Sequence, residues 1–201
     1  SPWYNNSLSF WALMDRSHVV NVDSSTSEAT VTCDGNITNM CRMFGDECYR
    51  LTSIDLSNFN ASRVTDMRLM FIKCRSLTSI DLSGFDTSNV TDMCWMFLGC
   101  WCLASLDLSG FDTSNVTGME RMFDDCRSLT SIDLSSFNTS NVKNMSGMFQ
   151  NCRNLTSLDL SNFNTPNVKD MGWMFEHCSR LATLDLSSFD TSNVTDMGYM
   201  F

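Results

Sequence analysis

Apolar residues recur along this chain on a 26-residue cycle. Each cycle opens L-[TA]-[ST]-[IL]-D-L-S, with apolar side chains at positions 1, 4 and 6 and small polar ones at 3, 5 and 7. Over Ile54 to Ser57 this is the two-residue alternation of a half-buried strand. After Phe59 the spacing changes. Val64, Met67, Met70, Phe71 and Cys74 follow one another at intervals of 3, 3, 1 and 3 residues, which predicts a short helix buried along one face. The T-S-N-V stretch ahead of it in most copies supplies hydroxyl groups to cap the first turn.

The cycle starts at Leu51, Leu77, Leu103, Leu129, Leu155 and Leu181, and the last copy is cut off at Phe201. A unit this short cannot close a core alone, so the copies must stack into an elongated solenoid. The predicted fold is an α/β repeat solenoid: a right-handed stack with one parallel β-sheet, strands concave, and short helices on the opposite face. Residues 37–201 form the solenoid, as one degenerate coil, five full coils and one truncated coil. Ile37, Met40, Met43, Phe44 and Cys48 carry the degenerate coil, with one residue inserted before the cysteine. Residues 1–36 are the N-terminal capping segment, in which Trp3, Tyr4, Phe10 and Trp11 would shield the open end of the core.

The stretch from Leu77 to Cys100, L-T-S-I-D-L-S-G-F-D-T-S-N-V-T-D-M-C-W-M-F-L-G-C, resembles the BspA-type leucine-rich repeats of bacterial surface proteins. The likeness extends over residues 37–201. It implies a strand-plus-helix coil and a secreted or lipid-anchored protein of the kind that includes adhesins for host proteins or other bacteria. It brings no catalytic motif. Cys33, Cys41, Cys94 and Cys102 fall outside the family's simple pattern.

Charge narrows the partners. The 201 residues hold 23 Asp and Glu against 13 Lys and Arg, a net charge of −10, which argues against nucleic acid and anionic membrane surfaces. No run of eighteen apolar residues exists and the amino terminus lacks the order of a signal peptide. Because it starts at Ser1 and stops short of the next expected cysteine, the chain reads as an excerpt of a longer protein.

Three repeated elements have the residue types of metal chemistry. Cys48, Cys74, Cys100, Cys126, Cys152 and Cys178 form a row along the stack, whereas zinc needs ligands converging on a point. Disulfides between rungs need Cα atoms within roughly 7 Å, and convex-side helices pack about 8–10 Å apart, so these read as buried free thiols. Among the other four, a Cys33–Cys41 bridge would staple the cap. Asp55, Asp81, Asp107, Asp133, Asp159 and Asp185 form a second row, with adjacent strands about 4.8 Å apart. As oxygen ligands they are the calcium candidates; alternatively, flanking serines donate hydrogen bonds to each carboxylate. M-x-x-M pairs such as Met93 with Met96 read as core rather than copper ligands. No cofactor is expected.

Two histidines, His18 and His177, complete the inventory. His177 adjoins Cys178, but helix neighbours point apart and no third orienting group is evident, so a Cys-His hydrolase is not predicted. Sequons such as Asn89-Val90-Thr91, Asn115-Val116-Thr117 and Asn193-Val194-Thr195 read as turn and cap residues, or as glycosylation sites in a eukaryotic secretory pathway.

Partner choice should come from the positions that vary between copies. Between the methionines these read Arg68-Leu69, Cys94-Trp95, Glu120-Arg121, Ser146-Gly147, Gly172-Trp173 and Gly198-Tyr199, with Trp101 and Arg127 beside the cysteine in two coils. Trp95, Trp101, Arg121, Arg127, Trp173 and Tyr199 are the candidate contact residues, since Trp, Tyr and Arg dominate binding hot spots. The predicted function is a non-catalytic, surface-displayed module that binds protein or glycan on a host or bacterial surface, without inserting into a membrane. The alternatives are a rigid spacer presenting another domain, and metal storage or sensing along the Asp or Cys row.

Overall fold

The structure, a computed structural model, describes residues 22–23, 28–30, 37–45 and 48–201. The capping residues Trp3, Tyr4, Phe10 and Trp11, together with His18 and Cys33, lie outside the described residues. The six copies and the degenerate coil stack as a repeat solenoid around one continuous core.

The strand half of the cycle is present at the start of the stack. A four-stranded sheet runs in the order β1 (Val22–Asp23), β2 (Glu28–Thr30), β3 (Ser53–Asp55) and β4 (Ser79–Asp81). β1 and β2 pair antiparallel, while β2, β3 and β4 are parallel, with Ser53, Ile54 and Asp55 opposite Ser79, Ile80 and Asp81. Beyond β4 the equivalent segments form no strand and carry no ladder. From Leu103 onward they are joined backbone to backbone only where Thr130 donates to Ala104 (3.4 Å) and Thr156 to Thr130 (3.1 Å). Side chains substitute there: Ser136 Oγ, Asn162 Nδ2 and Ser188 Oγ donate to the carbonyls of Leu108, Leu134 and Leu160 at 2.9–3.0 Å.

The helical half of the prediction is not borne out. Val64, Met67, Met70, Phe71 and Cys74 are fully buried as expected, but no α-helix occurs among the described residues. The segment is a run of overlapping turns, in which Met70, Ile72 and Cys74 donate to the carbonyls three residues back, Met67, Leu69 and Phe71. Two residues per coil have positive φ, Leu69 (59°) and Lys73 (56°) in this one, which no helix accommodates. The remaining amides turn outward along the stack. Met67, Leu69, Phe71 and Lys73 donate to Asp92, Cys94, Met96 and Leu98 of the next coil at 2.7–3.0 Å, and Met119, Arg121, Phe123 and Asp125 repeat the pattern toward Asn144, Ser146, Met148 and Gln150. Bridges from Asn39 through Asp66, Asp92, Gly118, Asn144 and Asp170 to Asp196 run along the same wall. The wall expected to be helical therefore carries the longest backbone ladder among the described residues.

Stacking copies superimposes like on like. Phe44, Phe71, Phe97, Phe123, Phe149, Phe175 and Phe201 form a column with ring centroids 5.2–5.9 Å apart, each pair adding about 0.5–1.5 kcal/mol beyond area burial. At the far corner, Thr87, Thr113, Thr139 and Thr165 are buried. Each hydroxyl donates to a carbonyl of the next coil and accepts the amide of that same residue, as Thr139 does with Asn164 at 2.8 and 2.9 Å. Gly84 is required where it stands, because a Cβ there would lie 2.0 Å from the Ser57 carbonyl oxygen. No helix among the described residues is long and apolar enough to cross a membrane.

Candidate functional site

The second variable position between the methionines falls on the first left-handed residue of each turn run. Arg42, Leu69, Trp95, Arg121, Gly147, Trp173 and Tyr199 occupy it, with φ between 49° and 61°. Position and conformation have one cause: the turn after each first methionine needs a positive φ to bring the next methionine back into the core and aim the intervening amide at the following coil. Trp95 thus donates to Glu120 at 2.8 Å and Trp173 to Gly198 at 2.8 Å. For a residue other than glycine this backbone costs about 1 kcal/mol. Gly147 shows that the scaffold accepts glycine there.

These side chains leave the core. Tyr199 is 73% exposed, and Trp95, Arg121 and Trp173 are half-buried. Trp173 and Tyr199 stack along the axis at 6.1 Å with nearly parallel rings. Arg121 lies across the space that a side chain at Gly147 would fill, its Cγ 2.9 Å from that virtual Cβ, and its guanidinium donates to the buried Asp124 at 3.1 Å. Asp124 also accepts from Asn151. Beside them Gln150 donates to Glu176 while its Oε1 is buried without a partner.

The other two predicted contacts belong to a separate row, one residue past the cysteine. Trp101 lies between Arg75, with its guanidinium carbon 4.2 Å from the ring centroid, and Arg127 at 4.4 Å. Asp125 fixes both ends, accepting the indole N–H of Trp101 at 2.7 Å and two guanidinium N–H groups of Arg127 at 2.7 and 3.1 Å. Four of the six predicted residues therefore share the methionine wall and two share this corner. Arg75 and Asp125 were missed. Reading the residue after each cysteine down the copies as Arg75, Trp101, Arg127 and Arg153 would have found Arg75; nothing in the sequence marks Asp125 as the group that locks the row.

The Asp row is satisfied locally. Asp55, Asp81, Asp107, Asp133, Asp159 and Asp185 each accept the backbone N–H of the serine two residues on at 2.9–3.0 Å. Those serine bonds hold the exposed carboxyls of Asp81, Asp107, Asp133, Asp159 and Asp185 below the usual carboxylate range. Among the described residues no three His, Cys, Asp or Glu side chains converge to hold a metal. The methionine pairs from Met67 with Met70 through Met171 with Met174 are wholly buried, whereas Met197 in the last copy is exposed.

The ladder cysteines are free, but not because helices hold them apart. Coils joined by backbone hydrogen bonds sit about 4.8 Å apart, inside disulfide range. Instead the thiols of Cys74, Cys100, Cys126, Cys152 and Cys178 turn to a phenylalanine carbonyl one coil back, as Cys100 does to Phe71 (3.3 Å) and Cys152 to Phe123 (3.1 Å). Burial pushes Cys100, Cys126 and Cys152 well above the ordinary thiol value and Cys178 up to about 11. Of the others, Cys94 is buried and Cys41 and Cys102 are exposed and free; the Cys33 half of the bridge considered for the cap is not among the described residues. His177 faces Glu176 at 3.9 Å, while the Cys178 thiol turns to Phe149, so the two form no dyad. The sequon asparagines Asn89, Asn115 and Asn193 donate through Nδ2 to carbonyls of the preceding coil at 2.8 Å.

Compared with known proteins, the chain matches the family described as "Mycoplasma protein of unknown function, DUF285" over residues 21–129 and 96–201. No curated protein matches. The chain is similar to a crystal structure of a T. pallidum leucine-rich repeat protein, at 19% identity over 84% of this chain and 90% of that one, with a TM-score of 0.44.

Proposed function

The chain belongs to the DUF285 family, and on that premise we propose that it is a non-catalytic repeat module that binds a protein or glycan partner through the methionine wall and the adjoining corner. One observation carries this reading. Trp95, Arg121, Trp173 and Tyr199 stand at strained left-handed positions where glycine would serve the scaffold, and none of them belongs to the core. Large side chains held against a backbone cost, outside the core, are what a contact surface requires. The likeness of Leu77 to Cys100 to BspA-type repeats supports placing the module at a cell surface, facing host or bacterial ligands.

The test replaces Trp95, Trp173 and Tyr199 with glycine together. Saturable binding to immobilised host matrix proteins or to whole bacteria is expected for the parent chain. The variant is expected to lose binding at least tenfold, with no more than about 1 kcal/mol of stability lost per site, because relieved strain offsets lost packing. No saturable binding by the parent chain, or equal binding by the variant, overturns the reading.

A second reading, a stiff spacer, is favoured by the unbroken Phe column and the coil-to-coil amide ladder. It predicts that deleting a whole 26-residue copy leaves function intact, whereas the binding reading predicts loss when the deleted copy carries Trp173.

A further inference from the structure

Charge is sorted around each coil. From Leu103 onward no Lys or Arg stands on the strand segments or the turns that follow them, up to the next T-S-N-V stretch, while the Asp row lies on those segments. By contrast, the corner around the cysteines holds Arg50, Lys73, Arg75, Arg127, Arg153 and Arg180, six of the 13 cations of a chain whose net charge is −10. Arg75, Trp101, Arg127 and Arg153 occupy one repeat position in four successive coils. At about 4.8 Å per coil they put three guanidinium groups on a line roughly 15 Å long.

This line is built rather than scattered. Trp101 separates the first two guanidiniums and stacks with both, and Asp125 locks the ring and Arg127 together. Among the described residues neither Arg75 nor Arg153 has a carboxylate in ion-pair range. Arg127 is paired with Asp125, but Arg75 and Arg153 beside it carry charge without a paired carboxylate, and an anionic ligand would supply one. Because arginine's planar fork pairs two-to-two with sulfate and carboxylate, the row suits a ligand bearing such groups at intervals.

We propose that the Arg75–Trp101–Arg127–Arg153 row binds an anionic polysaccharide, one carrying sulfate or uronate groups, lying along the solenoid axis. The inference rests on the binding-module reading and names a ligand class for one edge of it. A narrow chain meets the cationic row without approaching the Asp row. A folded acidic protein would cover both. Single-stranded nucleic acid would need open aromatic faces for its bases, and both faces of Trp101 are covered by arginine.

Heparin, dextran, poly-glutamate and a single-stranded oligonucleotide serve as probes for calorimetry on the whole chain. Heparin is expected to bind, with affinity falling about tenfold or more between roughly 50 and 200 mM salt, and dextran is not. Arg75→Gln with Arg153→Gln should weaken heparin about tenfold or more with only a small fall in melting temperature, from the lost stack of Arg75 on Trp101, since neither side chain has a carboxylate to lose. Lys143→Gln with Lys169→Gln removes the same charge elsewhere and should leave the affinity within twofold. The proposal is overturned by no heparin binding at low salt, by equal losses in the two double variants, or by tighter binding of poly-glutamate or the oligonucleotide. Heparin binding that survives in the Trp95, Trp173 and Tyr199 glycine variant supports a distinct corner site. Absence of heparin binding, with host or bacterial surface binding retained, removes the polysaccharide assignment alone.

Discussion

The two walls of each coil hold their neighbours by different means. On the methionine wall, cohesion is mainly backbone: the amides of Met119, Arg121, Phe123 and Asp125 all reach the next coil. The strand wall beyond β4 has almost no such ladder and relies on side chains, with Ser136, Asn162 and Ser188 reaching back to leucine carbonyls. Where backbone does the work, the outward side chain is free to change. Residues 68–69, 94–95, 120–121, 146–147 and 172–173 do change, whereas the D-L-S letters of the strand wall hardly vary. The wall that varies is thus the one that can afford to, and it is where the candidate contacts lie.

The largest test removes a ring from the methionine wall. Phe123 is fully buried between Phe97 and Phe149, at 5.7 and 5.6 Å. Phe123→Ala is expected to cost about 3–5 kcal/mol in denaturant unfolding. Ile132→Ala, at a nearly buried position of the strand wall in the next coil, should cost about 2–3 kcal/mol. If the strand-wall substitution costs more, the phenylalanine column is not the larger side-chain contribution to the stack. Amide exchange sharpens the same point: Arg121 and Phe123 should be protected close to the global limit, and Ser131 and Ile132 should exchange through smaller openings.

The corner between the walls comes next. Thr139 is fully buried, and its hydroxyl both donates to and accepts from the backbone of Asn164. Valine fills the same space with no polar atom, leaving the partly buried N–H and C=O of Asn164 without this partner. The expected cost of Thr139→Val is about 2–3 kcal/mol. Ala61 already occupies this position in the Leu51 coil. A cost under about 0.5 kcal/mol would show that the corner tolerates the loss generally and that the threonine column is not a third line of cohesion.

Much of this was legible in the sequence. The period gave the solenoid, and the apolar letters gave the core: Leu77, Val90, Met93, Met96, Phe97 and Cys100 are all buried. The helix was a misreading with a definite physical origin. Intervals of 3, 3, 1 and 3 bring side chains to one face in a helix, and they do so equally in consecutive turns bonded three residues back. What separates the two is the sign of φ at residues such as Leu69 and Trp95, which leucine and tryptophan do not announce. The column Lys73, Gly99, Asp125, Asn151 and His177 did announce it, being rich in the types that tolerate a left-handed backbone. Read down the copies rather than along one, it argues against a helix. The candidate residues were legible at two repeat positions, between the methionines and beside the cysteine, but the contacts that join Trp101 to Arg75, Arg127 and Asp125 were not, because they depend on where those turns bend.

The smallest effect, and the finest test of the side-chain-bonded wall, is acid. Asp81, Asp107, Asp133, Asp159 and Asp185 have carboxyls held below the usual range by the backbone and hydroxyl groups of the following serines. Repulsion between neighbouring rungs pushes the other way in several of them, and the net lowering says that the serine bonds prevail. A carboxyl whose folded value is depressed stabilises the fold while ionised, above its unfolded value of about 3.9. That contribution disappears as pH falls through the lower folded value. Stability should therefore be flat from pH 7 to about 5 and decline below about 4. Asparagine can keep the serine bond without titrating, as Asn138 does when it accepts the Ser140 amide at 3.1 Å. The triple variant Asp133→Asn, Asp159→Asn, Asp185→Asn should hold its neutral-pH stability and lose part of the acid decline, read from denaturant midpoints at each pH. An unchanged decline would mean that the Asp row does not stabilise the strand wall, and that its cohesion lies in the Ser136, Asn162 and Ser188 bonds, the threonine corner and the core.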